Sequence, residues 1–327
     1  MLFWSSLLLN NLYAQTKYGG CHRQSPYYDI SIRIMRIIPL LFCVLVPLLT
    51  ATSQDTLTIW RNNVPLDIPI AEIDSITFKT ATPQGIGVFS VASNRTVAFS
   101  RGNLQYIPTA DTWLFAVNQY DYIGTRNMVD QAFADTIDLF AWSTNTDPST
   151  AWGATLVEDN DLYTGDFVDW GTAIGDGNTW RTLTSAEWEY IRAKRPNASE
   201  LIGVGSVDGM HGLILLPDNW VSPNGITFKS GYSDQEYSAI AFEEYQSFTV
   251  EQWNVMQSAG AVFLPCAGFR IGTSLAYMQM AGLYWTSSPQ AAYGPRFASY
   301  FLFMCDGAGI GYDLRSGGNA VRLVCNL

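Results

Sequence analysis

Charge, histidine and cysteine are all scarce in this sequence. Of its 327 residues 14% are charged, two are histidine and five are cysteine. So few His and Cys leave no closely spaced ligand set for zinc. No glycine-rich loop followed by lysine is present to cradle a phosphate, and no Gly-x-Ser-x-Gly elbow to present a nucleophilic serine. Basic residues number 18 against 29 acidic, a formal net charge of −11. That balance argues against nucleic acid or anionic lipid as a partner. No internal repeat or low-complexity tract is visible.

The longest apolar stretch follows Met35-Arg36 and ends at Ala51-x-Ser53. A basic start, an apolar run of about a dozen residues and a small-residue cleavage site are the parts of a secretory signal. Pro39 and Pro47 interrupt the run, which is too short for a spanning helix. Residues 35–53 are therefore expected to be a signal peptide, and residues 1–34 an extension upstream of the true start. Phe42 stands where a lipoprotein signal needs a small residue, so Cys43 is not expected to carry lipid. The expected location is the cell surface, the periplasm or the medium, with no membrane span in the mature chain. Residues 54–327 would carry 14 basic and 28 acidic residues, since the leader holds Lys17, Arg23, Arg33, Arg36 and Asp29.

Residues 54–82 read as a small β element. Leu57 and Ile59 alternate with polar neighbours, as do Ile76 and Phe78, with a proline-containing connection between. Residues 83–87 form a linker, and residues 88–327 one larger domain. There, short aromatic-rich runs alternate with turn residues, and Asp135–Val168 reads as long ordered loops. Capping boxes at Thr184-x-x-Glu187 and Thr249-x-x-Gln252 start two helices, burying Trp188 with Ile191 and Trp253 with Met256. Two helices among many short strands make an α+β fold.

The mature chain offers little for catalysis. Its one histidine, His211, reads as a structural residue at a turn before a buried strand. Asp135, Asp138, Asp147, Glu158, Asp159, Asp161, Asp166 and Asp169 are numerous enough for a glycosidase pair. The cluster Glu158-Asp-Asn-Asp161 lacks the spacing of a calcium loop, and a solvated acidic loop is the plainer reading. Neither a metal nor any other cofactor is expected. Cys266, Cys305 and Cys325 remain, an odd count for an exported protein. If the last two strands pair, Cys305 and Cys325 form a disulfide.

Trp180-Arg-Thr-Leu-Thr-Ser-Ala-Glu-Trp-Glu-Tyr190 resembles the signature of the formylglycine-generating-enzyme/sulfatase-modifying-factor family. Phe263-Leu-Pro-x-Ala-Gly-Phe-Arg270, Tyr284-Trp-Thr-Ser-Ser288 and Gly318-x-Ala-Val-Arg-Leu-Val324 extend the likeness over residues 88–327. With Phe99–Tyr106 and Gln119–Gly124 they are similar to exported Bacteroidetes proteins of C-type-lectin-like fold. The resemblance implies that fold. It does not carry the enzymatic activity across, because the close cysteine pair of the catalytic members is missing. The Glu-Pro-Asn or Gln-Pro-Asp and Trp-Asn-Asp tripeptides of calcium-dependent lectins are missing too.

In the fold that the resemblance implies, residues 286–316 form the ligand face. They mix Tyr293, Arg296, Tyr300, Tyr312, Asp313 and Arg315 with Ser, Gly and Gln. Tyr and Arg supply contact area with polar ends while small residues adapt, a mixture that recognition surfaces favour. The expected function is non-enzymatic binding of a protein or glycan, as an adhesin or receptor. The alternatives are a hydrolase built on loop carboxylates and a structural subunit of a surface assembly. The bland reading of this stretch is a strand-rich end with core aromatics, to which Phe297, Phe301 and Phe303 belong.

Overall fold

The computed structural model describes residues 56–61, 64–70, 87–128, 136–145, 153, 160–174 and 180–327. The expected signal peptide and upstream extension lie outside them, as do Asp135, Asp147, Glu158 and Asp159.

The described residues before the linker form an antiparallel hairpin of β1 (Thr56–Arg61) and β2 (Val64–Pro69). β1 pairs with the segment next to it in the chain, which closes a short loop. Ile76 and Phe78 lie outside the described residues.

The larger body, described from Gly87 onward, is mixed α/β with mostly strands and few helices. Its first half holds β3 (Phe89–Ala92), β4 (Arg95–Phe99), β5 (Leu104–Ile107), β6 (Thr112–Phe115) and β7 (Trp180–Thr182). Next come α1 (Ser185–Glu189), β8 (Ile202–Val207), β9 (Met210–Leu215), α2 (Ala241–Tyr245), β10 (Ser247–Phe248) and α3 (Val250–Ser258). The chain ends with β11 (Val262–Pro265), β12 (Phe269–Ile271), β13 (Ser274–Ala276), β14 (Gly282–Pro289), β15 (Phe297–Met304), β16 (Gly307–Leu314) and β17 (Leu323–Asn326).

Both expected capping boxes are present, with Thr184 and Glu187 bonding reciprocally, and Thr249 and Gln252 likewise. α1 continues as a π-helical turn over Tyr190–Lys194 and stops at Arg195, before Pro196. Arg181 holds Glu187 with two hydrogen bonds at 2.8 and 2.9 Å, tying the cap to β7. Burial pushes the Glu187 carboxyl up, but the bonds from Arg181 and Thr184 outweigh it and hold it below its usual range. The short α2 has no side-chain cap, and no start signal marks it in the sequence.

The four-stranded sheet β10-β8-β9-β11 explains the near-continuous apolar runs. Ile202, Val204, Leu213, Leu215, Val262 and Leu264 face one core cluster, shared with Trp188 and Phe301. Val207, Ile214 and Phe263 face a second cluster under Trp253 and Met256 of α3. Strands buried on both faces lose the polar half of their alternation. The β8–β9 turn is Asp208-Gly209, both with positive φ, as the two-residue hairpin turn requires.

A third cluster gathers Trp142, Trp170, Trp180 and Trp285 beside the sheet β14-β15-β16. The last two strands do not pair. β16 pairs with β15, whereas β17 lies between β4 and β7 in another sheet. This removes the basis for a Cys305–Cys325 disulfide. Cys305 is a buried free thiol in the β15–β16 turn, donating to the Gln235 carbonyl at 3.0 Å.

Candidate functional site

Residues 286–316 cover the end of β14, the loop that follows it, and all of β15 and β16. Gln290–Phe297 closes tightly: the Gln290 N–H donates to the Phe297 carbonyl at 3.0 Å, and the Tyr293 N–H to the Gln290 carbonyl at 3.1 Å. Gly294, at φ 109°, takes a conformation that a side chain would strain. The loop thereby holds Tyr293 over the tip of β16. Its ring stacks on Tyr312 with centroids 4.0 Å apart and planes 20° apart. Both rings stay open to solvent, Tyr293 at 55% and Tyr312 at 40%. The hydrogen bond with Tyr293, and then slight burial, raise the Tyr312 phenol above its usual value.

The other four expected ligand-face residues divide. Arg296 is exposed and pairs with Asp161, also exposed, so the pair contributes little to stability. Asp313 is exposed, and its carboxylate accepts from the next N–H, that of Leu314, at 2.7 Å. Tyr300 is half-buried, its ring edge-on to Trp285 at 6.2 Å. Gly311 opposite it makes this possible, because a Cβ there would meet the Tyr300 ring at 2.5 Å. Arg315 is no surface residue: it is 4% exposed. Its guanidinium donates to the carbonyls of Phe297, Tyr163 and Gly165 at 3.1, 3.0 and 2.9 Å. Three carbonyls converge on this side chain, so it is drawn inward as a strut. Phe297 departs from expectation in the opposite sense. It is half-buried and packs edge-on against Tyr312 at 6.3 Å, while Phe301 and Phe303 are core.

His211 lies in β9 just after the turn, with Nδ1 at 2.8 Å from the Gln279 carbonyl and Nε2 at 3.1 Å from Glu243. Its ring stacks on Phe242 at 5.3 Å, so it joins β9, α2 and the Gln279 turn. Burial, and then Cys305, push the Cys266 thiol well above its usual range, away from the thiolate that nucleophilic chemistry needs. Asp169 is taken up by the N–H groups of Gly171 and Thr182. Asp138 is fully buried and accepts from Asn127 and the Ile123 N–H at 2.7 and 2.8 Å. Burial, only partly offset by those bonds, raises it to about 6.

Sequence reasoning missed a buried polar cluster. Arg322 donates to Asn103 at 3.3 Å and to Gln119 at 3.0 Å, and Asn103 donates to the Tyr284 hydroxyl at 3.1 Å. Burial lowers Arg322 to about 10, and its two terminal nitrogens donate to amide oxygens rather than to a carboxylate. Partners more than 180 residues apart leave no local signal. Among the described residues no group of three or more His, Cys, Asp or Glu could hold a metal, and no helix is long and apolar enough to cross a membrane. Compared with known proteins, the chain matches no family profile, no curated protein and no solved structure.

Proposed function

We propose that this chain is an exported, non-enzymatic binding protein of C-type-lectin-like fold, an adhesin or receptor of a Bacteroidetes-type cell. It engages a protein or glycan through the end of the β14-β15-β16 sheet. The observation that carries this reading is the Tyr293–Tyr312 pair: two stacked rings left open to solvent on a hydrogen-bonded loop. Exposed aromatic rings with polar ends are the side chains that binding surfaces enrich, and a short ordered loop lowers the entropy lost on contact. The capping motif at Thr184–Glu187 and the leader in residues 35–53 support the fold and the export.

The test is a screen of immobilised glycans and host-surface proteins against the parent chain and the Tyr293→Ala/Tyr312→Ala double variant. The reading expects capture by the parent and its loss in the variant at a nearly unchanged melting temperature. Equal capture by both would overturn it.

A further inference from the structure

The two edges of the β14-β15-β16 sheet are treated differently. On the β14 side the chain covers its own edge: the Trp285 N–H donates to Ala320 and the Ala320 N–H to Leu283, both at 2.9 Å. On the β16 side no strand follows among the described residues. The ladder phase can be read from one bond, Arg315 N–H to the Arg296 carbonyl at 2.8 Å. Alternation then makes Asp313, Gly311, Gly309 and Gly307 the residues bonded to β15. The N–H and C=O groups of Ala308, Ile310 and Tyr312 therefore point away from the sheet. The Gln290 N–H bond to Phe297 agrees, since it places the odd-numbered residues of β15 toward β14.

This edge lacks the usual protections. It is eight residues long, with no proline or lysine, and a bare row of glycines at 307, 309 and 311. Nothing lies within 4 Å of a Cβ built at Gly307 or Gly309. Ile310 and Tyr312 are exposed on the other face, at 37% and 40%. One device limits it: the Asp313 carboxylate caps the outward N–H of Leu314, ending the free run at Tyr312. Asp306 and Asp313, both exposed, bracket that run.

We infer that β16 is a strand-addition site, which pairs through Ala308, Ile310 and Tyr312 with an extended, basic segment of another protein. This rests on the binding reading above and names its partner class. Main-chain bonds supply affinity in this mode, and side chains at alternate positions supply selectivity. Charge complementarity sets the partner: an edge flanked by Asp306 and Asp313 on a chain of net charge −11 favours lysine or arginine, and disfavours a second copy.

The test uses the full chain and an immobilised set of heptapeptides alternating Val or Ile with Thr, ending in Lys, beside the same set ending in Glu. Saturable, salt-sensitive binding of the Lys set is expected. Ile310→Pro deletes one outward N–H without touching the ladder to β15, and should weaken binding about tenfold. Ile310→Thr, which keeps that N–H, should bind like the parent. No binding, equal binding of the Glu set, or an Ile310→Pro variant equal to the parent in affinity and melting temperature would overturn the proposal. So would a parent dimer, by sedimentation, that Ile310→Pro disperses, since the edge would then belong to a second copy. Ligand capture that depends on Tyr293 and Tyr312 but ignores Ile310→Pro would leave the binding reading standing and remove strand addition alone.

Discussion

The Arg315 guanidinium lies 4.1 Å above the centre of the Trp142 ring, and the Arg315 carbonyl accepts from the Trp142 N–H at 2.7 Å. The indole in turn donates to the Thr286 carbonyl at 2.7 Å. One arginine thus ties the end of β16 to the loops at Trp142 and Tyr163–Gly165. Its alanine variant would leave three carbonyls without their donor and a gap over the indole. The expected loss is about 3 kcal/mol, with Arg315→Lys recovering only part of it, because an ammonium cannot span the fork. Urea denaturation of the two variants measures this. A loss within experimental error of zero would return Arg315 to the surface.

Tyr293 and Tyr312 should behave oppositely. Their contact is between two exposed rings, so replacing both with alanine should cost no more than about 1 kcal/mol. The same denaturation series checks it, and a loss as large as that of Arg315→Ala would assign the pair to the fold.

The two capping boxes differ in surroundings. Glu187 is buried and held by Arg181, whereas Gln252 is exposed. Thr184→Ala should therefore cost nearer the top of the range of about 0.5–2 kcal/mol, and Thr249→Ala nearer the bottom. Comparing the midpoints of the two variants decides it; equal losses would mean that Arg181 adds nothing to the first cap.

Stability should also depend on pH through two buried carboxyls of opposite sign. Asp138 is raised from 3.8 to about 6, so the folded chain keeps a proton that the unfolded chain releases in that window. Its contribution is full below pH 3.8 and falls as pH rises towards 6. Glu187 is held below its ordinary value, so its contribution is present above about pH 4.5 and is lost as pH falls. Asp138→Asn should flatten the decline between pH 4 and 6, whatever its fixed effect on stability. Denaturation midpoints across that range provide the reading, and an unchanged slope would count against a proton on Asp138.

Local chemistry decided what was legible in the residues alone. The Thr-x-x-Glu and Thr-x-x-Gln boxes close within one turn, so both helix starts and the burial of Trp188 and Trp253 could be read directly. The apolar run at Leu213–Leu216 could be read as buried because each side chain there needs an apolar neighbour on its own face. Which strand joins which is settled by distant partners. Nothing local places β17 between β4 and β7, and that placement separates Cys325 from Cys305. Tertiary structure alone sent Arg315 inward and left Tyr312 outward, three residues apart in one run, because the carbonyls that claim the arginine come from Tyr163, Gly165 and Phe297. The free edge of β16 is of the same kind: a strand can be read from its residues, but whether it has a neighbour depends on the rest of the chain.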